Sequence, residues 1–238
     1  MSKTAVILSG QARTFTRTYP NQKWFLLRRL VNPVFFVSVA DDADAKSMEV
    51  LRKDWPEVHI EYVNPPQLEE PPFALTDAAP YSITPTKTPG VGPLQGIMRQ
   101  LWHNSRAWSF FTEQAGQTEF SAIVRCRPDL HFQHYREALW TPAPKEAITA
   151  RWGTYGGVND RFAIMGILAA QAWLTAYDVL PTLLEKGCPF HPETLIAAAL
   201  ENAGCFYTPG LDAWFAFRRA DGSFEHPIVL PQDFANIK

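Results

Sequence analysis

The sequence predicts one α/β domain spanning residues 1–238, with a mostly parallel central sheet flanked by helices. Three observations lead there. The length of 238 residues suits a single large α/β unit. An apolar fraction of 46% against 19% charged residues is that of a chain that buries a core. Three β-branched runs near the start, at 4–8, 34–39 and 58–63, alternate with helical stretches. Short β-α repeats of this kind build parallel sheets with right-handed crossovers.

Residues 4–8 (Thr-Ala-Val-Ile-Leu) show no alternation, the pattern of a strand buried on both faces. The run ends at Ser9-Gly10-Gln11, where glycine permits a tight turn. A helix is expected over 21–30, stopped by Pro33. Residues 34–39 (Val-Phe-Phe-Val-Ser-Val) form a second buried strand. Asp41, Asp42 and Asp44 are placed to cap a helix reaching about Asp54, with acids at its favourable end. Residues 58–63 alternate and read as a third strand. The stretch 64–93 holds eight prolines, from Pro65 to Pro93, which excludes a helix or central strand. A connection that long is expected to be a surface excursion or a lid. Helical spacing returns over 94–114, where Leu94, Ile97, Met98, Leu101, Trp102, Trp108 and Phe111 make an apolar stripe. Strands are expected at 121–126, 147–152, 161–165, 205–207 and 214–217. Helices are expected at 168–185, stopped at Gly187, and at 192–203, stopped at Gly204.

Composition limits the function. A net charge of -2 gives no basic stripe for a general polyanion binder, though it leaves room for a local phosphate pocket. Cys126, Cys188 and Cys205 are odd in number and form no CxxC pair, so they read as reduced, packed thiols. No signal peptide opens the chain, and the longest apolar stretch (162–174) is broken by Gly166 and Gln171, short of a spanning helix. A soluble, cytoplasmic protein is expected. His59, His103, His134 and His226 fall in no ligand spacing.

Four segments carry candidate chemistry. The turn from Ser9 to Arg17 follows the first strand, and ligands in open α/β sheets lie beyond the carboxyl ends of strands. Its backbone N–H groups, hydroxyls and the guanidinium groups of Arg13 and Arg17 suit a phosphate or nucleoside; the alternative is a polar loop with solvated arginines. It is neither a GxGxxG turn nor a P-loop, which argues against a dinucleotide oxidoreductase or a Walker-type kinase. The second segment is Arg125-Cys126-Arg127-Pro128-Asp129-Leu130-His131-Phe132. In an extended chain Asp129 and His131 share a side and could reach one Mn2+ or Mg2+ ion, with Arg125 and Arg127 on phosphate oxygens. The alternative is an Arg–Asp pair that closes the strand end. The third runs from Trp152 to Gly166. Its glycines, Gly157 among them, allow close backbone approach, Trp152 suits stacking, and Asn159-Asp160 offers sugar contacts and a general base; a plain Asn-Asp turn is the alternative. The fourth is His191-Pro192-Glu193, a contact to donor or acceptor, or a favourable helix start. Most of the eight tryptophans are expected in the core.

Together these segments resemble a group of GT-A-like glycosyltransferases of bacterial surface-polysaccharide loci, large viruses and phages. The likeness rests on Ser-Gly-Gln-x-Arg after the opening strand, Arg-x-Arg-Pro-Asp-x-x-Phe, Asn-Asp-Arg-Phe-Ala-Ile-x-Gly, and Pro-Glu before a late helix. It covers roughly residues 4–207 as spaced short motifs. The resemblance implies a GT-A sheet, a nucleotide-diphosphate sugar donor, a hydroxyl-bearing acceptor and often a divalent cation, Mn2+ or Mg2+. It puts Ser9, Gly10, Gln11 and Arg13 against the nucleotide, with Arg17 and Arg127 as further candidates. Asp129 stands at the DxD-like position, where His131 replaces the second acid. Asp160 lines the sugar or acceptor pocket beside Trp152, Gly157, Asn159, His191 and Glu193. A glycan acceptor fits the charge better than a modified base of phage DNA. A nucleotidyltransferase and a catalytically inactive nucleotide-sugar-binding module are the alternatives.

Overall fold

The computed structural model describes residues 2–68, 93–136, 141–219 and 221–225. Seven strands form the main sheet, in the order β3-β2-β1-β4-β7-β6-β8. They are β1 (Lys3–Gly10), β2 (Pro33–Ala40), β3 (Val58–Val63), β4 (Phe120–Cys126), β6 (Glu146–Ala150), β7 (Phe162–Met165) and β8 (Phe206–Leu211). β1, β2, β3 and β4 are mutually parallel, and β6 is parallel to β8. β7 lies between β4 and β6 and runs against both. The expected mostly parallel α/β sheet is therefore present, with one reversed strand in it. The reversal has a use: β7 begins where β4 ends, so residues just before Phe162 meet the carboxyl end of β4.

The non-alternating strands are buried on both faces, as their sequences require. On one face Ala5, Ile7, Phe36, Ile123 and Met165 pack with helix α3 (Pro93–Ala115) through Met98, Leu101, Trp108 and Phe111, and with Trp173, Leu195 and Leu200. Trp173 lies in helix α4 (Ile167–Leu174), and the two leucines in α6 (Pro192–Asn202). On the other face Val6, Leu8, Phe35, Val37, Val124 and Ile164 pack with helix α1 (Phe15–Phe25) and with a small second sheet. That sheet has the order β10-β9-β5, from β5 (Leu130–Tyr135), β9 (Ala213–Arg218) and β10 (Phe224–Glu225). Phe132 and Phe215 join it to the core.

Several expected elements differ. The helix expected at 21–30 starts at Phe15 and ends at Phe25, with Pro20 inside it. Pro20 is on the exposed side, where water can serve the carbonyl that its missing N–H leaves open. The helix expected after Asp44 is a 3-10 segment (Ala45–Val50) followed by a single turn, α2 (Leu51–Asp54). The acids do not cap it: Asp44 N donates instead to Asp42 Oδ1 at 3.0 Å, an Asx turn. The long helix expected at 168–185 breaks into α4, a 3-10 turn (Thr175–Tyr177) and α5 (Leu180–Glu185). Pro181 explains the break, since it lacks a donor and its ring meets the preceding turn. β5 was not expected as a separate strand. The loop or lid expected at 64–93 falls, from 69 to 92, outside the described residues. Among the described residues no helix is long and apolar enough to cross a membrane.

Candidate active site

The carboxyl ends of β1 and β4, the residues leading into β7, the first turn of α6 and the middle of α3 meet at one place. Most of the sequence-predicted residues gather there. Arg125, on β4, is 1% exposed and donates through Nη1 to the carbonyl oxygens of Asp160 and Arg161, the latter at 2.8 Å. Its Nη2 reaches Asn104 Oδ1 of α3 at 3.4 Å, and the same oxygen accepts from Ser9 Oγ at 2.7 Å. One buried arginine thereby ties β4 to β7 and to α3. Burial pushes its pKa down to about 10, so it is charged at neutral pH.

Asp160 is 3% exposed. Its Oδ2 accepts from Gln100 Nε2 of α3. Among the described residues its Oδ1 has no hydrogen-bond donor, and it lies 3.7 Å from Arg161 Nε. Burial raises this carboxyl, but Arg161, Arg125 and Arg127 outweigh it and hold Asp160 below the usual carboxylate range. Glu193, in the first turn of α6, is 2% exposed and responds the other way. Burial first, and the Asp160 charge second, push it up against the pull of His191 and Arg161. Its oxygens lie 3.4 Å from Arg161 Nη2 and 2.7 Å from His191 Nδ1. Two buried carboxyl groups with opposite shifts thus share one guanidinium, the arrangement from which acid and base roles arise.

Arg127 donates through Nε and Nη2 to Asp129 Oδ1 and Oδ2 at 2.9 and 2.8 Å, a bidentate pair. Burial opposes the Asp129 charge, and Arg127, with Arg219 behind it, holds the carboxyl low. The chain around the pair is held by α1. Gln22, fully buried, donates to the carbonyls of Arg127, Pro128 and Leu130 at 3.2, 3.0 and 2.9 Å, and Thr18 Oγ1 donates to Pro128 O at 2.6 Å. Cys126 is a buried spectator whose thiol burial pushes up to about 12.

Asp129 and His131 do not stand as the extended-chain reading expected. Pro128 and Asp129 form a turn, and β5 starts only at Leu130, so the strict two-residue alternation does not include Asp129. His131 turns toward Asn21, 3.4 Å away, and its ring lies 5.1 Å from Phe224. Both Asp129 oxygens are taken by Arg127. Among the described residues no group of three or more His, Cys, Asp or Glu could hold a metal ion. The Asp129 and His131 pair as it stands does not fit Mn2+ or Mg2+.

Asn159 orders the approach to β7: Nδ2 donates to Trp152 O at 2.7 Å and Oδ1 accepts from Arg161 N at 3.0 Å. Trp152 stacks on Trp214 at 5.9 Å and donates to Ala213 O at 2.8 Å, so much of its ring is used in packing. Gly157 approaches protein backbone. A Cβ there would lie 2.1 Å from Glu193 O and 2.7 Å from Thr194 N, and Val158 N donates to the same Glu193 carbonyl at 3.1 Å. Gly157→Ala is therefore expected to push α6 away from Glu193's present position. Overpacking of this kind costs about 1–3 kcal/mol, or several degrees of Tm at this chain length. A melting curve matching the wild type would show that the loop yields instead.

In the Ser9 to Arg17 turn, Ser9 is buried in the network described above. Gly10 has φ +107 with open space at its Cβ position, a conformation that favours glycine. Gln11, Arg13 and Arg17 are exposed on the rim. Sequence reasoning missed Arg161, Gln100, Asn104, Gln22 and Arg219. Arg161 adjoined a named candidate, and Arg219 follows an aromatic run at the end of β9. Gln100 and Asn104 lie on a helix whose apolar stripe alone had been read, and Gln22 on one for which only the bounds had been.

No protein-family model and no curated protein sequence matches the chain at a significant level. Among solved structures it is similar to the apo form of the glycosyltransferase GlyE of Streptococcus pneumoniae TIGR4, with a TM-score of 0.45 and 9% identity. The match covers 87% of this chain and 45% of that one, so the chain spans less than half the length of that structure.

Proposed function

We propose that the chain transfers a glycosyl group from a nucleotide-diphosphate sugar to a hydroxyl acceptor, at the junction of β1, β4, β7 and α6. The observation that carries this reading is the pair Asp160 and Glu193: two buried carboxyls, driven in opposite directions, beside a cluster of guanidinium groups at the carboxyl end of a parallel sheet. In the reaction the acceptor oxygen bonds to the anomeric carbon. The bond from that carbon to the donor phosphate breaks, and its electron pair leaves on the nucleoside diphosphate. The acceptor's proton goes to Asp160 Oδ1, an ionised oxygen with no donor among the described residues. In this reading Glu193 and His191, paired 2.7 Å apart, stand on the acceptor side. The GT-A character of the domain, its extent over 1–238 and a cytoplasmic setting belong to the same reading. A glycan is the favoured acceptor, because the net charge of -2 provides no footprint for a DNA backbone.

Melting the protein against UDP-, GDP-, dTDP- and CMP-sugars tests the donor. A ligand at 100 times its Kd adds about 2.7 kcal/mol, a rise of about 5–10 °C for a chain of this length. No shift with any nucleotide sugar would end the reading. A shift without release of nucleotide or sugar would leave an inactive binding module, and turnover of a nucleoside triphosphate with pyrophosphate release would favour a nucleotidyltransferase.

A further inference from the structure

The net charge of -2 hides a segregation. All 24 acids of the chain lie after residue 40. Before them stand Lys3, Arg13, Arg17, Lys23, Arg28 and Arg29, so every charged side chain of β1, α1 and β2 is basic. The helical stretch between the two strands packs one side on the sheet, through Phe15, Tyr19, Leu26, Leu27 and Leu30. Its other side is exposed: Thr16, Arg17, Pro20 and Trp24 recur along α1 at helical spacing. A 3-10 turn (Leu27–Arg29) carries that side on to Arg28 and then to Val31. Trp24 is 63% exposed and Val31 51%. The Arg28 guanidinium lies 5.0 Å from the centroid of the Trp24 ring, so an exposed apolar body carries a cation beside it. Lys23 closes on Asp54 at 2.7 Å, and Arg29 donates to Tyr135 O at 2.9 Å. Among the described residues no carboxylate pairs with Arg13, Arg28 or Arg29. A helical ridge that sets cations beside an indole and a valine matches the headgroup level of an anionic bilayer. A nucleic-acid backbone would use the cations but put Val31 against charge.

We propose that the outer side of α1 and the turn after it, through Trp24, Arg28 and Val31, docks this chain reversibly on an anionic lipid surface. The indole and the valine enter the headgroup layer, and Arg28 and Arg29 stay with the lipid phosphates. Each basic residue at such a surface strengthens binding by about fivefold. Two apolar side chains alone do not hold a chain on a neutral bilayer, so the charge is required. α1 follows the turn at the end of β1, so Arg13 and Arg17, on the rim of the candidate site, stand at one end of this ridge. A docked chain holds that site beside the bilayer. The docking does not rest on the glycosyl-transfer reading.

Flotation of the full chain with lipid vesicles tests it. Binding is expected to vesicles of phosphatidylcholine with about one quarter phosphatidylglycerol, and not to phosphatidylcholine alone. Raising salt to about 0.5 M is expected to release the chain. Trp24→Ala and Arg28→Glu are each expected to weaken binding about tenfold or more. Both positions are exposed, so melting temperatures are expected to stay near the wild type. Lys186→Glu makes the same change of charge at the end of α5, on the other face of the sheet, and is expected to leave vesicle binding intact. No binding to anionic vesicles, or equal binding to both kinds, overturns the proposal. An equal loss from Lys186→Glu overturns it too, because the attraction would then belong to no particular face. Binding of a single-stranded oligonucleotide that Arg28→Glu removes, with vesicles left unbound, would give the ridge to a nucleic acid. A dimer in light scattering that Trp24→Ala dissolves, again without vesicle binding, would give it to a second copy of this chain. Either result overturns the lipid assignment. Vesicle binding while no nucleotide sugar is accepted would keep the docking face and end the glycosyl-transfer reading. Sugar transfer by a chain that binds no vesicle would do the reverse.

Discussion

Asp160→Asn is expected to lower kcat for sugar transfer by about 10²–10⁴, the usual contribution of a positioned acid or base, while donor affinity changes little. The substitution keeps the volume of the side chain. Its amide oxygen can still accept from Gln100 Nε2, so the contact to α3 survives. What disappears is the charge on an oxygen that no donor among the described residues occupies. Wild-type kcat is expected to fall on acidification through the Asp160 pKa. Because the neighbouring arginines hold that value below the ordinary carboxylate range, activity persists to lower pH than an ordinary carboxylate base would allow. The Asn variant loses that acid limb. A second readout follows from the coupling to Glu193, which the Asp160 charge pushes up. Removing the charge is expected to move the Glu193 titration down toward the carboxylate norm, and carboxyl resonances followed by NMR against pH would record it. A variant that keeps kcat within a factor of about ten would take the proton-acceptor role from Asp160.

The parallel half of the sheet was legible because strand patterns announce themselves. The buried runs at 4–8 and 34–39 and the alternating run at 58–63 have little else they can be, and β1, β2 and β3 stand there. The site was legible as separate segments: Ser9, Arg127, Asp129, Asn159, Asp160, His191 and Glu193 were all named, and the fold brings them to one end of the sheet. Their pairing was not legible. Whether Asp129 faces a metal or Arg127 depends on Pro128 and Asp129 forming a turn that two buried donors of α1, Thr18 and Gln22, hold in place through four hydrogen bonds. Nothing in a Pro-Asp dipeptide says that Gln22, more than 100 residues away, will bond to the carbonyls around it. Gly157 is a similar case. A glycine beside an Asn-Asp pair suggests room for a ligand, but the room is taken by the backbone of α6. The reversed strand β7 was also out of reach, because a fully buried strand of four residues carries no mark of its direction.

The largest effect on stability is expected from Arg125→Met. Methionine fills nearly the same volume, so the loss is electrostatic and not a cavity. Arg125 is the donor to two carbonyls ahead of β7, and its charge is one of three that keep Asp160 ionised in the interior. Removing one partner from a buried ionic group costs about 3–5 kcal/mol, because the remaining charge has no water to return to. At this chain length that is a fall in Tm of about 6–20 °C. The double variant Arg125→Met with Asp160→Asn locates the cause. If the cost comes from the orphaned Asp160 charge, the asparagine recovers part of it, and the two changes together destabilise by less than the sum of each alone. If the cost comes only from the carbonyls that lose their donor, the effects add. Strict additivity would mean that Arg125 serves as a hydrogen-bonded strut between β4 and β7, and that the ionisation of Asp160 depends on Arg161 and Arg127 alone. A coupling in the expected direction would make Arg125 the buried countercharge that allows a carboxylate to stay ionised in the interior.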